Sequence, residues 1–401
     1  MSKYCFHLIV LMAVIASAPC FADVEGDDGD SQRNFELPGA DAAALDGDGG
    51  LDVADVDFVG NPAKSWFEKW PNDLVIAPIP GRSPQLGWKL TLAGGYFLSS
   101  GDEDSDTAPS VIGGFAMVAE NGSAAYGAGG NFHLLDDKLR VKAGAGYADV
   151  RYRFYGVGND IGENGISVDI LQEGPLYFAS GSWRVWSKLY VGLGYLGGNV
   201  DTSLRINFPD PLPFSDPSVK LDIGALVIPV EFDSRDHEQF PRNGWFVNAR
   251  AMLYRESHGS DFDADTYKIA VNRFLPMGEQ DVLALRGVLQ STSGDAPFFL
   301  LSKFGGATDL RGYPSGRYRD RMMYALQGEY RWQFSKRWIF TGFAGFGEVA
   351  ENFDGFGSNL LPATGIGARF VLSQKHRVGL SMDIAVGNDG TEYYFGVGEA
   401  F

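Results

Sequence analysis

The clearest pattern in this chain is an alternation of side-chain character over residues 321–335. One face of that segment carries Met323, Ala325, Gln327, Glu329, Arg331 and Gln333, and the other carries Tyr324, Leu326, Tyr330, Trp332 and Phe334. The alternation recurs over residues 376–387, where apolar residues oppose Arg377, Ser381 and Asp383. A period of two predicts β-strands. Strands with one apolar and one polar face are typical of a transmembrane β-barrel.

The same period predicts an all-β fold, a transmembrane antiparallel barrel of about sixteen strands over residues 73–401. We expect strands at 73–79, 86–99, 110–120, 123–136, 138–155, 166–183, 186–200, 218–233, 243–256, 263–276, 280–292, 321–335, 336–349, 361–374, 375–387 and 390–401. The first is the weakest prediction, because Pro78 and Pro80 make it short and edge-like. Tight turns alternate with long loops, as they do in outer-membrane barrels.

The N-terminus predicts export. Lys3 precedes the apolar run Leu8–Ala18, and small residues lie where a signal peptidase would cut. We expect a signal peptide at residues 1–22, cleaved after Ala22. The alternative of a lipoprotein anchored at Cys20 is disfavoured because Pro19 interrupts the small-residue box.

Residues 23–65 contain twelve acidic side chains against two basic ones and show no strand period. They predict a disordered acidic leader in the periplasm. Its aspartates resemble a calcium loop, but Leu51 stands where that loop needs glycine and Asp57 where it needs glutamate, so a solvated linker is favoured. Residues 66–72, which include Trp66 and Trp70, predict a short amphipathic segment or a simple cap.

Charge and composition exclude several functional classes. The net charge of −18 argues against a nucleic-acid partner, because phosphate binding needs clustered cations. Cys5 and Cys20 are the only cysteines and would leave with the signal peptide. The five histidines are scattered, so neither a metal cluster nor a catalytic triad is proposed. We therefore expect no cofactor, and an enzyme is the least favoured function.

Four motifs carry a resemblance to a known family. Leu310-Arg311-Gly312-Tyr313 resembles the [VLI]-R-G-[FY] signature of the bacterial surface antigen barrels, the domain of BamA/TamA-type outer-membrane assembly factors. The residues Asp233, Arg235, Asp236, Pro241 and Gly244 resemble the family's D-x-R-D…P-x-x-G turn. Residues 154–159 match its F-Y-G-x-G-N segment, and Phe401 matches its terminal aromatic residue. The resemblance covers residues 73–401. It is similar to a branch without polypeptide-transport-associated (POTRA) domains, because 43 residues of leader cannot hold one.

The resemblance implies that the loop carrying Arg311 folds back into the barrel lumen. Its guanidinium would then pair with acidic groups on the next two strands, and Glu329 lies on the first. On the second strand, Gly345 stands in place of the family's frequent aspartate, so either Glu348 compensates or Arg311 pairs with Glu329 alone. Arginine suits this role because its planar fork binds carboxylates bidentately. The alternative is that Arg311 is one more charge in a polar lumen. The turn motif would fix its hairpin through pairing of Asp233, Arg235 and Asp236.

The last strand predicts a weak seam. Its residues Tyr393, Phe395, Val397 and Phe401 share one face, and Glu392, Gly396 and Gly398 share the other. Glycine weakens a strand, and this strand must close the barrel against the short first strand. The alternative is that the glycines merely fit a crowded lumen.

The resemblance implies a role in outer-membrane biogenesis, in which polypeptide or lipid is inserted or translocated through the seam. The expected location is the outer membrane of a Gram-negative bacterium, with the leader and the C-terminus in the periplasm. The expected partners are outer-membrane lipid, unfolded outer-membrane polypeptides and the assembly machinery that inserts the chain itself. Two alternatives stay open: a pore for solute or lipid gated by external loops, and a structural surface antigen.

Overall fold

The computed structural model describes residues 74–83, 85–98, 110–158, 167–205, 218–237, 240–373 and 378–401. The predicted signal peptide, acidic leader, calcium-like loop and amphipathic segment lie outside the described residues. Within the described part of the chain, no helix is both long enough and apolar enough to cross a membrane.

Sixteen antiparallel strands form one closed barrel, which confirms the predicted fold. The strands are β1 (Leu74–Ser83), β2 (Gly87–Leu98), β3 (Ser110–Ala119), β4 (Ala124–Leu134), β5 (Leu139–Phe154), β6 (Val168–Trp186), β7 (Leu189–Arg205), β8 (Ser218–Asp233), β9 (Gly244–Tyr254), β10 (Ala264–Met277), β11 (Asp281–Gly294), β14 (Met322–Gln333), β15 (Trp338–Ala350), β16 (Leu361–Ser373), β17 (Val378–Gly387) and β18 (Gly390–Val397). Each pairs with its neighbours in chain order, β11 pairs with β14, and β18 closes on β1.

Two further strands lie in the connection between β11 and β14. These are β12 (Ser302–Lys303) and β13 (Arg319–Asp320), which pair only with each other. We call residues 304–318, between these two strands, the arginine loop. The barrel end that carries this connection is called the loop end, and the end where β1 begins and β18 finishes is called the terminal end.

The first and last strands differ most from the sequence prediction. β1 extends to Ser83 despite Pro78 and Pro80, and it pairs with β2 along its whole length. The prolines are tolerated because the other edge of β1 lies at the closure, where few ladder hydrogen bonds are made. β18 ends at Val397, so residues 398–401 are not strand.

Side chains alternate across the barrel wall as the sequence predicted. In β14, Leu326 and Trp332 point outward with 45% and 49% of their surface exposed, whereas Ala325 and Glu329 point inward and are buried. Outward-facing rings at the terminal end of β14, β15 and β16 contact one another. They are Trp332, Phe334, Trp338, Phe340 and Phe370. An apolar outer band edged by aromatic rings is the surface that a barrel presents to lipid.

The arginine loop fills the lumen instead of projecting from the barrel. Phe304, Tyr313 and Tyr318 form a buried aromatic group, with ring centroids 5.7–5.8 Å apart. This group packs with inward-facing residues of five strands, Ala270, Val288, Met323, Ala325, Val349, Leu361 and Ala363. Burial of this apolar area holds the loop against the inner wall.

Candidate functional site

Arg311 lies fully buried within the barrel, where two strands supply carboxylates to its guanidinium. Its Nη2 donates to Glu329 Oε2 at 2.6 Å, and its Nη1 donates to Asp383 Oδ2 at 2.9 Å. The guanidinium carbon lies 3.5 Å from the centroid of the Phe343 ring, so the cation also contacts an aromatic face. The structure therefore brings Arg311 and Glu329 together and adds an aspartate from β17.

Two more arginines and one more carboxylate extend this pair into a network. Arg331 donates to Glu329 at 2.7 Å and Arg369 donates to Asp383 at 2.6 Å. Glu399 lies 3.1 Å from Arg369 and 3.6 Å from Arg331. Together with Arg311, Glu329 and Asp383, the network holds three arginines and three carboxylates. Buried ions are tolerated only when they are paired and hydrogen-bonded, and here each ion has at least one partner.

Glu348 is not a partner of Arg311, so this part of the sequence prediction was wrong. Glu348 pairs across the ladder with Tyr324, whose side chain belongs to the outward-facing set, whereas Glu329 and Phe343 face inward. Its carboxylate accepts hydrogen bonds from the backbone N–H groups of Gly357 and Asn359 instead, at 2.7 Å each. Since successive residues of a strand face opposite sides, an inward partner had to be sought elsewhere.

The arginine loop is also held on its other side by charges of opposite sign. Asp309 accepts from Lys268 at 2.8 Å and from Arg286 at 2.7 Å. Burial by itself raises the pKa of Asp309, but the charges and hydrogen bonds of Lys268 and Arg286 outweigh it, so this pKa lies well below its ordinary value. The loop thus presents an anion to β10 and β11 and a cation to β14 and β17.

Gly312 allows the loop to approach the wall closely. It has a positive φ of 111°, and an added Cβ would lie 3.0 Å from Ala363 Cβ and 3.2 Å from the backbone of Gly387. Leu310 and Tyr313, the outer members of the motif, are buried in the lumen core. The four-residue motif is therefore one packing unit, in which only glycine fits at the third position.

The opposite wall holds the loop through the F-Y-G segment after β5. Gly158 N–H donates to the backbone oxygen of Arg319 at 2.8 Å. The guanidinium of Arg319 lies over the Phe154 ring, and that of Arg317 lies over the Tyr155 ring, at 5.0 and 5.2 Å from the centroids. Residues 154–158 and 317–319, at least 159 residues apart in the sequence, thus meet inside the barrel.

The barrel closes through a short ladder. β1 and β18 share one registered pair among the described residues, Arg82 with Phe395, whereas β1 and β2 share a pair at every position from Leu74 to Ser83. The strands are staggered, so residues 390–394 of β18 extend beyond this pair toward the loop end and residues 74–79 of β1 extend toward the terminal end. We call this closure the seam.

The arginine loop bonds to both sides of the seam from inside the barrel. Gly312 N–H donates to Tyr394 Oη on β18 at 3.0 Å. Gln85, in the turn that follows β1, donates from Nε2 to the backbone oxygen of Ser315 at 2.6 Å. Gln85 is fully buried, so the β1–β2 turn points into the lumen. The loop therefore bridges a seam that its own ladder holds weakly.

The predicted division of the last strand into two faces agrees with the structure in part. Tyr393 is exposed on the outer surface and Phe395 packs on the Trp88 ring at 5.3 Å, while Glu392 is buried and Gly396 is half-buried. Backbone pairing continues to Val397, which lies opposite Leu380. Gly398 then adopts a positive φ of 86° and ends the strand.

Phe401 does not share the outward face, which corrects the sequence prediction. Arg331 donates to its backbone oxygen at 2.9 Å. Its ring packs against an inward-facing apolar group, Phe274, Val282 and Ala284. Because the chain turns inward after Val397, the alternation of the strand no longer decides which way Phe401 points.

The turn motif at the terminal end is held by its own acidic residues. Arg235 Nη2 donates to Asp233 at 2.7 Å. Asp236 instead accepts the backbone N–H groups of Arg242 and Asn243, at 2.9 and 3.2 Å. Burial raises the pKa of Asp236, yet these backbone hydrogen bonds bring it below its ordinary value. The remaining motif residues, Pro241 and Gly244, are buried.

Several site residues were missed by the sequence analysis. Asp383 stood on the polar face of a predicted strand, which was a usable signal, but nothing linked it to Arg311. The others carried no such signal, and they are Gln85, Asp309, Arg369, Tyr394 and Glu399. Within the described residues, no group of histidine, cysteine, aspartate or glutamate is arranged to hold a metal ion. The arrangement holds the loop against the inner wall and joins it to both sides of the seam.

Comparison with known proteins assigns a family to this geometry. The model of the Omp85 superfamily domain matches residues 190–401. Among solved structures, the barrel resembles BamA from Haemophilus ducreyi lacking POTRA domains 1–3, with a TM-score of 0.58 and 15% identity over 82% of this chain and 70% of that one.

The barrel also resembles two CdiB structures. CdiB from Acinetobacter baumannii has a TM-score of 0.52 and 10% identity over 81% of this chain and 59% of that one. CdiB from Escherichia coli has a TM-score of 0.53 and 12% identity over 82% and 63%. At these identities the likeness shows the fold alone, and this chain spans less than two thirds of either CdiB. No match was found among curated proteins.

Proposed function

This chain belongs to the Omp85 superfamily, and on that premise we propose that it acts in outer-membrane biogenesis, inserting or translocating polypeptide or lipid through the seam between β1 and β18. The family barrel indicates an outer-membrane protein. We place the terminal end, with both chain termini, in the periplasm and the loop end outside.

The observation that carries this proposal is that β1 and β18 share one registered pair among the described residues. A strand edge without a partner exposes backbone N–H and C=O groups, which lipid hydrocarbon chains cannot satisfy. An incoming strand can satisfy them by adding to the edge. The seam offers such an edge on each side, residues 390–394 of β18 and residues 74–79 of β1.

The arginine loop sets the condition for opening. Its hydrogen bonds to Tyr394 and Gln85 join the two sides of the seam, so lateral opening requires release of at least one of them. Its charges tie it to four strands on the β18 side and so keep that side rigid. In this proposal the β1–β2 hairpin is the side that moves.

Unfolded outer-membrane polypeptides are the proposed partners. A photoreactive phenylalanine analogue at Tyr393, exposed beside the seam, should capture newly exported barrel polypeptides in cells. Tyr267 is the matched control, because it is a tyrosine of similar exposure on the outer face of β10, away from the seam. Capture at Tyr393 and not at Tyr267 supports the proposal. Equal capture at both positions, or capture at neither, contradicts it.

A further inference from the structure

Arg82 is a cation on the outer surface of the seam. It lies on the outward-facing side of β1, and its cross-strand partner Trp88 exposes 51% of its surface. The guanidinium carbon lies 5.8 Å from the Trp88 ring centroid and 5.7 Å from the Tyr393 ring centroid. Two aromatic rings, one on each side of the seam, thus flank the same guanidinium.

The guanidinium of Arg82 has no hydrogen-bond acceptor or ion-pair partner among the described residues. Arg273 provides the contrast. It also lies on the outer face over a tryptophan, with its guanidinium carbon 5.2 Å from the Trp245 ring centroid. Arg273, however, donates to Asn243 Oδ1 at 3.2 Å and to the backbone oxygen of Gly244 at 3.0 Å. Arg82 therefore presents N–H donors that the protein leaves available.

Arg82 lies near the loop end of β1, beside two aromatic rings. It is two residues from the turn that joins β1 to β2 at the loop end, and Trp88 begins the outward-facing set of β2. Tryptophan and tyrosine concentrate at the edge of the apolar band, where charged side chains are tolerated. Glu120 lies on the same rung, but its carboxylate accepts the backbone N–H of Trp88 at 2.8 Å and forms no ion pair with Arg82.

The seam leaves room for a ligand beside Arg82. Residues 390–394 of β18 continue past the Arg82–Phe395 pair with no registered partner on β1. A lipid headgroup lying there would meet the guanidinium and the unpaired backbone edge together. An arginine fork binds phosphate oxygens bidentately, and an anion close to it replaces the missing acceptor.

We propose that Arg82, Trp88 and Tyr393 bind the phosphate of a membrane lipid. The two rings contact the glycerol and upper chain region, while the guanidinium holds the phosphate. Bound lipid covers the open edge of β18 when no strand occupies it. This site depends on the barrel lying in a membrane and does not depend on the proposed handling of polypeptides.

The test is lipid binding by the full-length chain purified in detergent and observed by native mass spectrometry. The probes are dioctanoyl phosphatidic acid, dioctanoyl glycerol, which differs only in lacking the phosphate, and inorganic phosphate. Arg82→Gln should weaken binding of the phosphatidic acid about tenfold, the factor that 1.4 kcal/mol represents. Arg273→Gln should change it by less than about twofold, because that guanidinium is satisfied within the protein.

Each outcome bears on the site. The site is supported if the parent chain prefers phosphatidic acid to dioctanoyl glycerol, Arg82→Gln loses this preference and Arg273→Gln keeps it. Equal binding of the two lipids, equal loss in both variants, or displacement of the lipid by an equal concentration of inorganic phosphate overturns it. Heat-shifted gel mobility verifies that the variants fold. Arg82→Lys keeps the charge but loses the planar fork, so phosphatidic acid should bind this variant more weakly than the parent chain and more tightly than Arg82→Gln.

Discussion

Single charged residues decide whether the arginine loop stays in the lumen. Arg311→Ala removes the cation that lies between Glu329 and Asp383 and leaves Arg331 and Arg369 to balance three carboxylates. Breaking a buried pair in this way typically costs about 3–5 kcal/mol. We expect the loop to become accessible to protease and the barrel to lose its heat-shifted gel mobility at a lower temperature.

Glu348→Gln is the control for this change, because Glu348 contacts the 351–360 connection and not Arg311. It should leave the arginine loop protected. If both Arg311→Ala and Glu329→Ala kept the protease resistance and heat stability of the parent chain, the network would have no role in holding the loop.

Asp309 predicts how the loop responds to pH. Its pKa in the folded protein is lowered from the ordinary 3.8, so its contribution to stability is present above that value and is lost as the pH falls through the lowered pKa. Hydrogen exchange of residues 305–313, corrected for intrinsic rates, should therefore be the same at about pH 7 and about pH 5. Asp309→Asn should exchange faster at both. Loss of protection between those two pH values would contradict the assignment.

The sequence predicted one of the two carboxylates that pair with Arg311 and missed the other. Glu329 was found because the family resemblance implied an acidic partner on the strand after the arginine motif, and Glu329 lies on the polar face of that strand. Asp383 lies 72 residues from Arg311, and only the registers of β14 through β17 bring it to the same depth. The register between strands depends on the tertiary fold, so it cannot be predicted from the alternation within a single strand.

The positions of most strands followed from the alternation of apolar and polar side chains. The lengths of the first and last strands did not. β1 is longer than its prolines suggested because its second edge makes few ladder bonds. β18 is shorter than its alternation suggested because Gly398 turns the chain inward and apolar burial holds Phe401 in the lumen. In both cases packing around the seam outweighed the local pattern.

The bridge between the loop and the seam has a direct test. Gln85→Ala combined with Tyr394→Phe removes the two hydrogen bonds that join the sides of the seam, each worth about 1 kcal/mol. We expect faster hydrogen exchange at residues 80–83 and 391–395 while the ion pairs of Arg311 persist. The measurement is hydrogen exchange by mass spectrometry on the folded protein.

Tyr313→Phe serves as the matched control for that pair. It removes the hydrogen bond that the Tyr313 hydroxyl donates to the backbone oxygen of Pro362 on β16 and the one it accepts from the backbone N–H of Asn388 in the β17–β18 turn. Neither partner lies on β1 or in the β1–β2 turn. In this variant, the backbone amides of residues 80–83 and 391–395 should exchange at the same rate as in the parent chain. Equal acceleration in the control and in the double variant would show that general loosening of the loop, not loss of the bridge, is responsible.

For the whole molecule, the period of two and the motif order predicted a sixteen-stranded barrel, and the structure confirms it. The inward course of the loop came from the family resemblance, since the composition of residues 304–318 does not distinguish a lumen from an exterior. The hydrogen bonds that connect the loop to both sides of the seam were revealed only by the structure. No sequence pattern links Gln85 to Ser315, because they are 230 residues apart.

Lateral opening of the seam is tested by measuring activity after a disulfide has locked β1 to β18. Gly81 and Gly396 lie one rung beyond the Arg82–Phe395 pair, where antiparallel partners are about 4.5–5.5 Å apart, close enough for a disulfide. The cysteines are introduced with Cys5 and Cys20 replaced by serine, and a control pair at Ile79 and Thr91 links β1 to β2 without crossing the seam.

After depletion of the native protein, outer-membrane proteins and lipids are quantified in cells that express each variant. We expect the seam disulfide to abolish rescue, reduction to restore it, and the control disulfide to have no effect. Full rescue by the oxidised seam variant, together with altered solute uptake when residues 304–318 are deleted, would show that the seam does not open and would indicate a pore that works through the lumen.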